Sequence, residues 1–348
     1  MKRLLKIGGL LLVPLALLAL GLSFRFPQTT ESLYAQGVYP QVVHLFAALN
    51  WVSFSWAEVL LVSAMVAAGF FFRPRKILLT IWCGGGAVLW AFLLLWGFNY
   101  ARPSLEKRLG LVPSSAAPRV LLETGERTAA MTSALFEALA QDSGPTRLPM
   151  SFSELDRVID EGYRELELPG DRIQSSTAPA KPLVSSTLFS YLGISGIFVP
   201  FTGEPSVNAL QPDAALPLVL AHEKAHQRGI THEGEANFAA FLVCSREEAP
   251  PYLRYAAYLF ATQYLLGEAA QYLPRDEVAA AWDRLGSGPL ADVRALHDFW
   301  ERYQGVASEL TTEVNDGYLR ALGVPEGVES YGTVVRLLLA LDARGGLT

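Results

Sequence analysis

Residues 222–244 read HEKAHQRGITHEGEANFAAFLVC and include three of the five histidines in the chain. His222 and His226 are four residues apart, so on a helix they project from the same face. With Glu223 they form the H-E-x-x-H arrangement, in which two imidazoles bind Zn²⁺ and the carboxylate takes a proton from a zinc-activated water. Apolar sequence on both sides of the motif predicts a buried helix. Burying these polar side chains without a metal would cost free energy. The sequence therefore predicts a catalytic zinc site.

The third zinc ligand is less well determined by the sequence. Glu233 begins the motif E-x-x-A-N, and on a second helix Glu233 and Asn237 would share a face, so that Asn237 could hydrogen-bond a ligand. His232 completes the metzincin pattern H-E-x-x-H-x-x-G-x-x-H, but that fold needs a downstream methionine, and every methionine here is upstream. The predicted ligands are His222, His226 and Glu233. His232 and then Glu235 are the alternatives.

The N-terminal third is unusually apolar. The 348-residue chain is 51% hydrophobic with a mean hydropathy of +0.25, which exceeds the usual composition of a water-soluble domain. Residues 4–24, 54–72 and 77–98 are each long enough to cross a bilayer. The first stretch is longer than the apolar part of a usual signal peptide, and further apolar stretches follow it. We therefore predict three transmembrane helices within residues 1–100.

Basic residues predict the orientation of these spans. They precede the first span and lie between the second and third, whereas the loop at 25–53 contains only Arg25. The positive-inside rule then places the N-terminus in the cytoplasm and the chain after Tyr100 outside it. The lipid bilayer is the expected partner. A net charge of −6 without a long basic run argues against nucleic acid.

Beyond the spans the pattern is mainly helical. Residues 101–125, rich in Pro, Ser and Ala, are interpreted as a linker, and 126–345 as the metal-binding domain. Helical periodicity is found at residues 127–141, 153–166, 252–272, 275–285, 289–313 and 330–342. Residues 167–182 resemble a polar surface loop. The glycine-containing, β-rich segment 188–207 predicts a small hairpin or sheet before the H-E-x-x-H helix.

Four blocks of sequence carry a family resemblance. They are WGFNY with Arg102-Pro103 at 96–103, GISGI and PFTGE at 193–204, the motif block at 222–238, and the segment from Asn315 to Gly332. Together they resemble the DUF3810 family of bacterial integral-membrane proteins. The resemblance implies a membrane-anchored, zincin-like α+β domain, which would follow the three predicted spans in the bacterial inner (cell) membrane. It implies no substrate, and His232 is not part of the pattern.

The expected function is that of a membrane-anchored zinc metallopeptidase acting on a peptide or protein substrate. Glu223 would be the general base, and Tyr318 and Tyr331 are candidate donors to the developing oxyanion, with His297 a further one. In zinc peptidases, a strand before the motif helix often pairs with an extended substrate. The alternative is a non-catalytic, zinc-stabilised membrane scaffold or sensor module, in which His232 would close the site as a fourth ligand.

Overall fold

The computed structural model describes residues 2–50, 52–71, 77–112, 117–142, 144–173, 177–321 and 331–347. Within these ranges the description leaves out the side chains of residues 2–8, 65–66, 68–71, 77–81, 315, 318–321 and 331. The described N-terminal elements are α1 (Lys2–Arg25), α2 (Pro27–Thr29), a π-helix (Thr30–Val38), α3 (Tyr39–Leu49), α4 (Trp56–Phe71), α5 (Ile77–Leu95), a 3₁₀-helix (Gly97–Ala101) and α6 (Leu105–Leu109).

The remaining described elements surround a small sheet. They are α7 (Pro118–Leu139), α8 (Phe152–Leu166), β1 (Lys181–Pro182), α9 (Ser186–Tyr191), β2 (Gly196–Val199), β3 (Glu204–Val207), a 3₁₀-helix (Asp213–Ala215), α10 (Leu216–Gln227), α11 (Glu233–Ser245), α12 (Pro251–Ala269), α13 (Arg275–Asp283), α14 (Ser287–Tyr303), α15 (Val306–Ala321) and α16 (Tyr331–Asp342). The strand order is β1-β3-β2, with β1 parallel and β2 antiparallel to β3. The predicted mainly α class, with a small sheet before the H-E-x-x-H helix, is confirmed.

The core of the molecule lies around α11. This helix packs against α8, α10, α12 and α16, while α7 packs along α12. Phe238, Ala239 and Phe241 are completely buried, which explains why α11 is apolar on nearly every side. Pro217 and Pro251 occupy the first turns of α10 and α12, where a missing backbone N–H costs nothing.

The described N-terminal helices agree with the predicted membrane spans only in part. Among the described residues, no single helix is both long and apolar enough to cross a bilayer. Two consecutive segments, Gly9–Arg25 and Pro27–Leu49, meet the requirement together but are bent by 98° where they join. The predicted span 4–24 lies in α1, while 54–72 and 77–98 overlap α4 and α5; residues 72–76 between those helices lie outside the described residues. Three membrane spans remain a prediction.

One loop prediction is wrong. Residues 167–182 do not form a surface loop throughout, because Thr177 and Lys181 are buried and Lys181–Pro182 form β1. The polar composition was misleading since the charge of Lys181 is neutralised inside the protein by Glu204.

Three element boundaries also differ from the predicted ones. The segment 289–313 is two helices, α14 and α15, and the start of 188–207 belongs to helix α9 rather than to a strand. The predicted linker 101–125 contains α6 and the beginning of α7. Leu105 of α6 is completely buried in the same core as Leu220 and Phe238, so this segment is packed into the domain that follows it.

A buried ion pair attaches α4 to the sheet. Lys181 in β1 and Glu204 in β3 pair with side chains only 4% and 0% exposed. Lys181 also donates to Asn50 Oδ1 at 3.1 Å. The Glu204 carboxylate accepts the backbone N–H groups of Trp56 and Ala57, at 3.2 and 2.9 Å. These are unpaired donors of the first turn of α4, so one carboxylate fixes both the sheet and the start of that helix.

Replacing Glu204 by glutamine should lower the free energy of unfolding by about 3 kcal/mol, because the Lys181 ammonium would stay buried without its counter-charge. Chemical denaturation of the purified protein measures the loss. The control is Glu277→Gln, which removes an exposed ion pair with Arg119 and should cost less than about 1 kcal/mol. Equal losses in the two variants would contradict a structural role for the buried pair.

Candidate metal centre

A glycine turn brings the two halves of the sequence motif together. Helix α10 ends at Gln227 and α11 begins at Glu233. Gly229 lies between them with φ +76°, a left-handed conformation that glycine adopts without steric cost. Its N–H donates to His226 O at 2.9 Å, and the N–H of Ile230 donates to Ala225 O at 3.0 Å. These two hydrogen bonds cap the C-terminal end of α10 and turn the chain back, so that α11 starts beside the motif helix.

His222, His226 and Glu233 converge on one point. Nε2 of His222 lies 3.0 Å from Glu233 Oε2, and Nε2 of His226 lies 3.6 Å from Glu233 Oε1. The ligand atoms of the three side chains all lie within 4.8 Å of one another. Zinc bonds of 2.0–2.2 Å in a tetrahedral site separate the ligand atoms by about 3.3 Å. The spacing therefore suits a single zinc ion.

Both imidazoles are held by their other ring nitrogen. His226 Nδ1 lies 2.7 Å from Ile230 O, and His222 Nδ1 lies 2.8 Å from Asn237 Oδ1. A carbonyl oxygen only accepts, so Nδ1 carries the proton and the lone pair of a neutral ring is at Nε2, facing Glu233. Asn237 thus has the orienting role that the E-x-x-A-N motif suggests.

Glu223 is buried beside this group, next to the edge strand β2. Its side chain closely approaches Gly196, where a Cβ atom would lie 2.6 Å from Glu223 Oε1, so only glycine leaves room for the carboxyl. Burial raises the pKa of Glu223 above its usual value, while the two histidines and a hydrogen bond from the Phe198 backbone oppose the shift. A carboxyl with a raised pKa is suited to accept and return a proton.

The electrostatics of the three converging residues favour a cation. Burial would lower the pKa of His226, but the adjacent Glu233 carboxylate raises it to about 9. Burial would raise the pKa of Glu233, but the two histidines hold it well below its usual value. The metal-free group therefore keeps a proton at neutral pH, and a metal ion would displace it.

The alternative ligands have other contacts. The ring of His232 packs edge-on against Tyr100, with ring centroids 6.3 Å apart. Glu235 Oε1 accepts the backbone N–H of Leu105 at 2.7 Å, at the start of α6. Neither belongs to the group formed by the two motif histidines and Glu233.

Of the three predicted oxyanion donors, two have side chains that the structure does not describe, and the third is exposed. Tyr318 lies in α15 and Tyr331 begins α16, but both side chains are outside the described residues. His297 is 73% exposed on α14, near Asp298 and Glu301. These three exposed side chains could also hold an ion by distance alone.

Three side chains that no sequence motif indicated donate hydrogen bonds to the end of α10. Trp96 Nε1 donates to His226 O at 2.9 Å, and the Tyr39 hydroxyl donates to Gln227 O at 2.8 Å. Arg102 Nη1 donates to the carbonyls of the next two residues, at 3.3 and 3.2 Å. Terminal carbonyls of a helix lack partners within the helix. Trp96 and Arg102 were within a block that carried the family resemblance, but nothing local to them indicated these contacts.

The opposite side of α10 is held by buried charges. Lys224 Nζ lies 3.0 Å from Asp156 Oδ1 and 3.5 Å from Asp160 Oδ1. Arg228 pairs with Asp160 at 3.1 Å and with Asp171 at 2.8 Å. Burial would raise the pKa of Asp160, but the two cations hold it below its usual value. The motif helix is therefore fixed by polar contacts from α8 as well as from the N-terminal elements.

Replacing Tyr39 by phenylalanine should lower the free energy of unfolding by about 1–3 kcal/mol, because the Gln227 carbonyl would lose its donor in a buried position. Tyr39 is 2% exposed. Tyr272→Phe is the control, since its hydroxyl bonds Glu268 on the surface and its denaturation curve should stay close to that of wild type. Denaturation curves of both variants test the contact, and an unchanged Tyr39→Phe protein would refute it.

Comparison with known proteins identifies a family. Searches of curated proteins and of solved structures found no match. A family model described as "Protein of unknown function (DUF3810)" matches residues 34–339. The match extends from the π-helix into α16 and includes every residue of the converging group. The chain therefore belongs to the DUF3810 family.

Proposed function

We propose that this protein is a membrane-anchored, zinc-dependent metallopeptidase of the zincin-like type. The observation that carries the proposal is the convergence of His222, His226 and Glu233 beside the buried carboxyl of Glu223. These are the residues that the motifs predict, and they meet although Glu233 comes from a different helix.

The donor set fits zinc. Two imidazoles and one carboxylate are the ligand set of many catalytic zinc sites, which leave the fourth position open. Both histidines have orienting partners at Nδ1, as metal-binding histidines usually do. When bound, zinc would supply a Lewis acid that polarises a carbonyl group and makes a water molecule more acidic.

Glu223 would carry the proton in this reaction. As general base it would take the proton of the attacking water and then pass it to the leaving amine. Burial and the adjacent Gly196 keep its carboxyl in one place. The strand β2, which supplies Phe198, is at the edge of the described sheet. An extended peptide could pair with that edge and present its carbonyl beside Glu223.

Zinc content separates this proposal from the scaffold alternative. Purified wild type and Glu223→Gln should each bind about one zinc ion, and Glu233→Ala should lose it, because a three-ligand site tolerates no missing ligand. His232→Ala should keep its zinc, since that ring packs on Tyr100 instead. Loss of zinc from both the His232 and the Glu233 variants would indicate a closed, structural site.

Hydrolysis of a peptide library tests catalysis. Glu223→Gln should keep its zinc and lower the cleavage rate by about 10²–10⁴-fold, because it removes the general base. Asp276→Asn, an exposed residue of α13, is the control and should cleave like wild type. Equal rates in wild type and Glu223→Gln would contradict the assigned role, and an absence of zinc in wild type would refute the proposal.

We also propose that the N-terminal helices anchor the chain in the bacterial inner membrane with the metal centre outside the cytoplasm. Several large apolar side chains on these helices are exposed, including Leu10, Leu18, Leu61, Val62, Trp82 and Val88. Such a surface is stable in contact with lipid rather than water. The basic residues beside the predicted spans give the orientation.

Fractionation and reporter fusions test the anchoring. The protein should stay in the membrane fraction after alkaline extraction, and a C-terminal alkaline phosphatase fusion should be active, because that reporter folds only outside the cytoplasm. A fusion of the same phosphatase after Arg75, between the second and third predicted spans, should be inactive. The reverse pattern would invert the orientation, and release by alkali would refute the anchoring.

A further inference from the structure

A polar pocket of about 300 Å³ lies away from the metal centre, between the π-helix, α6 and the turn at 169–170. Its polar lining consists of Gln28, Glu31, Gln36, Lys107, Arg108 and Gly170. The proposed function does not use any of these residues.

The charged side chains that line the pocket have a net positive charge, with two cations, Lys107 and Arg108, against one carboxylate, Glu31. Its carboxylate, Glu31, already forms an ion pair with Arg102 at 2.7 Å and accepts from Gln36 at 3.0 Å. Arg108 Nη1 donates to the carbonyl of Pro169 at 2.7 Å, while its buried Nε has no partner among the described residues. No carboxylate in the described part of the chain is within ion-pair distance of Lys107 or Arg108. Arg108 is partly buried and Lys107 is exposed at the side of the pocket, so an anion in the pocket would give both cations a counter-charge.

The floor of the pocket is glycine backbone. Gly170 has φ +80°, and a Cβ atom there would lie 2.3 Å from Glu31 Oε1 and 3.3 Å from nitrogens of both Arg102 and Arg108. A larger residue would therefore be strained and would also collide with the charged groups. Burial and the neighbouring Arg102 lower the pKa of Arg108 to about 10, so Arg108 is still charged at neutral pH.

We propose that this pocket binds a phosphate group. The Arg108 guanidinium can donate to phosphate oxygens with the geometry that arginine offers such groups, and Lys107 adds a second charge. The amide of Gln28 supplies a neutral donor, and Gln36 has a second amide hydrogen besides the one that it donates to Glu31. The pocket volume admits a phosphate with a small alcohol such as glycerol.

Two sources share this chemistry, a phospholipid headgroup and a soluble phosphate ester. The position favours the headgroup, because Gln28 lies beside the bend between Gly9–Arg25 and Pro27–Leu49, two helices that together have the length and hydropathy of a membrane span. This choice rests on the proposed membrane anchoring, since a basic pocket beside membrane helices can hold an anionic lipid headgroup.

Binding measurements on the full-length, detergent-purified protein test the site. Calorimetry with inorganic phosphate and with glycerol 3-phosphate probes soluble ligands, and native mass spectrometry after addition of phosphatidylglycerol probes the lipid. Prior treatment with a chelator removes zinc, so that phosphate bound to a metal does not contribute and the result is independent of the peptidase proposal.

The variants are Arg108→Gln and Lys107→Gln, with Arg119→Gln as a control on an exposed arginine elsewhere. Arg108→Gln should weaken binding by about tenfold or more, because it removes a charge-assisted hydrogen bond. Lys107 is exposed, so Lys107→Gln should fold normally and weaken binding by about threefold. Arg119→Gln should bind like wild type.

Each outcome decides between the alternatives. Retention of phosphatidylglycerol that depends on Lys107 and Arg108 supports a headgroup site, and similar dependence with glycerol 3-phosphate supports a soluble ester. If wild type binds none of the three probes, or if both variants bind like wild type, the proposal is overturned.

Discussion

The positions of His222, His226 and Glu233 depend on how the C-terminal end of α10 is hydrogen-bonded. The last carbonyls of a helix need donors from elsewhere, and here those donors are Trp96, Tyr39 and Arg102. All three come from the first 102 residues of the chain. Trp96 also contacts the ring of His226, with centroids 6.0 Å apart. The N-terminal helices thus contribute directly to the shape of the site, although they supply none of its converging side chains.

Buried ion pairs explain why a polar stretch of sequence does not always indicate a surface segment in this protein. Lys181, Lys224 and Arg228 are almost completely inaccessible, and each pairs with a carboxylate. Removing a charge from water is costly unless a partner and further hydrogen bonds compensate, and these partners lie on other elements. The result is a set of links between α8, α10, the sheet and α4 that specify how those elements sit together. Apolar packing alone would define these positions less sharply.

The part of the site that the sequence predicted is the part encoded locally. The spacing of His222, Glu223 and His226 depends only on helical periodicity, and Glu233 follows after one glycine turn. Several helices, such as α8 and α16, were also predicted within one or two residues, because their apolar periodicity faces one core. The strand β1 was missed because a two-residue strand has no pattern of its own. Contacts such as that of Trp96 with His226 O join residues 130 positions apart, and no local pattern in the sequence indicates them.

The attachment of α10 to the N-terminal helices has a consequence for how the chain can be divided. A cut between α6 and α7 would leave these contacts in place, because hydrogen bonds and the buried Leu105 hold the two parts together without the covalent link. A fragment that lacks the N-terminal helices altogether would keep His222, His226 and Glu233 but would have no donors from Trp96, Tyr39 and Arg102 at the end of α10. The carbonyls at that end would then have to find other donors for the three side chains to stay converged.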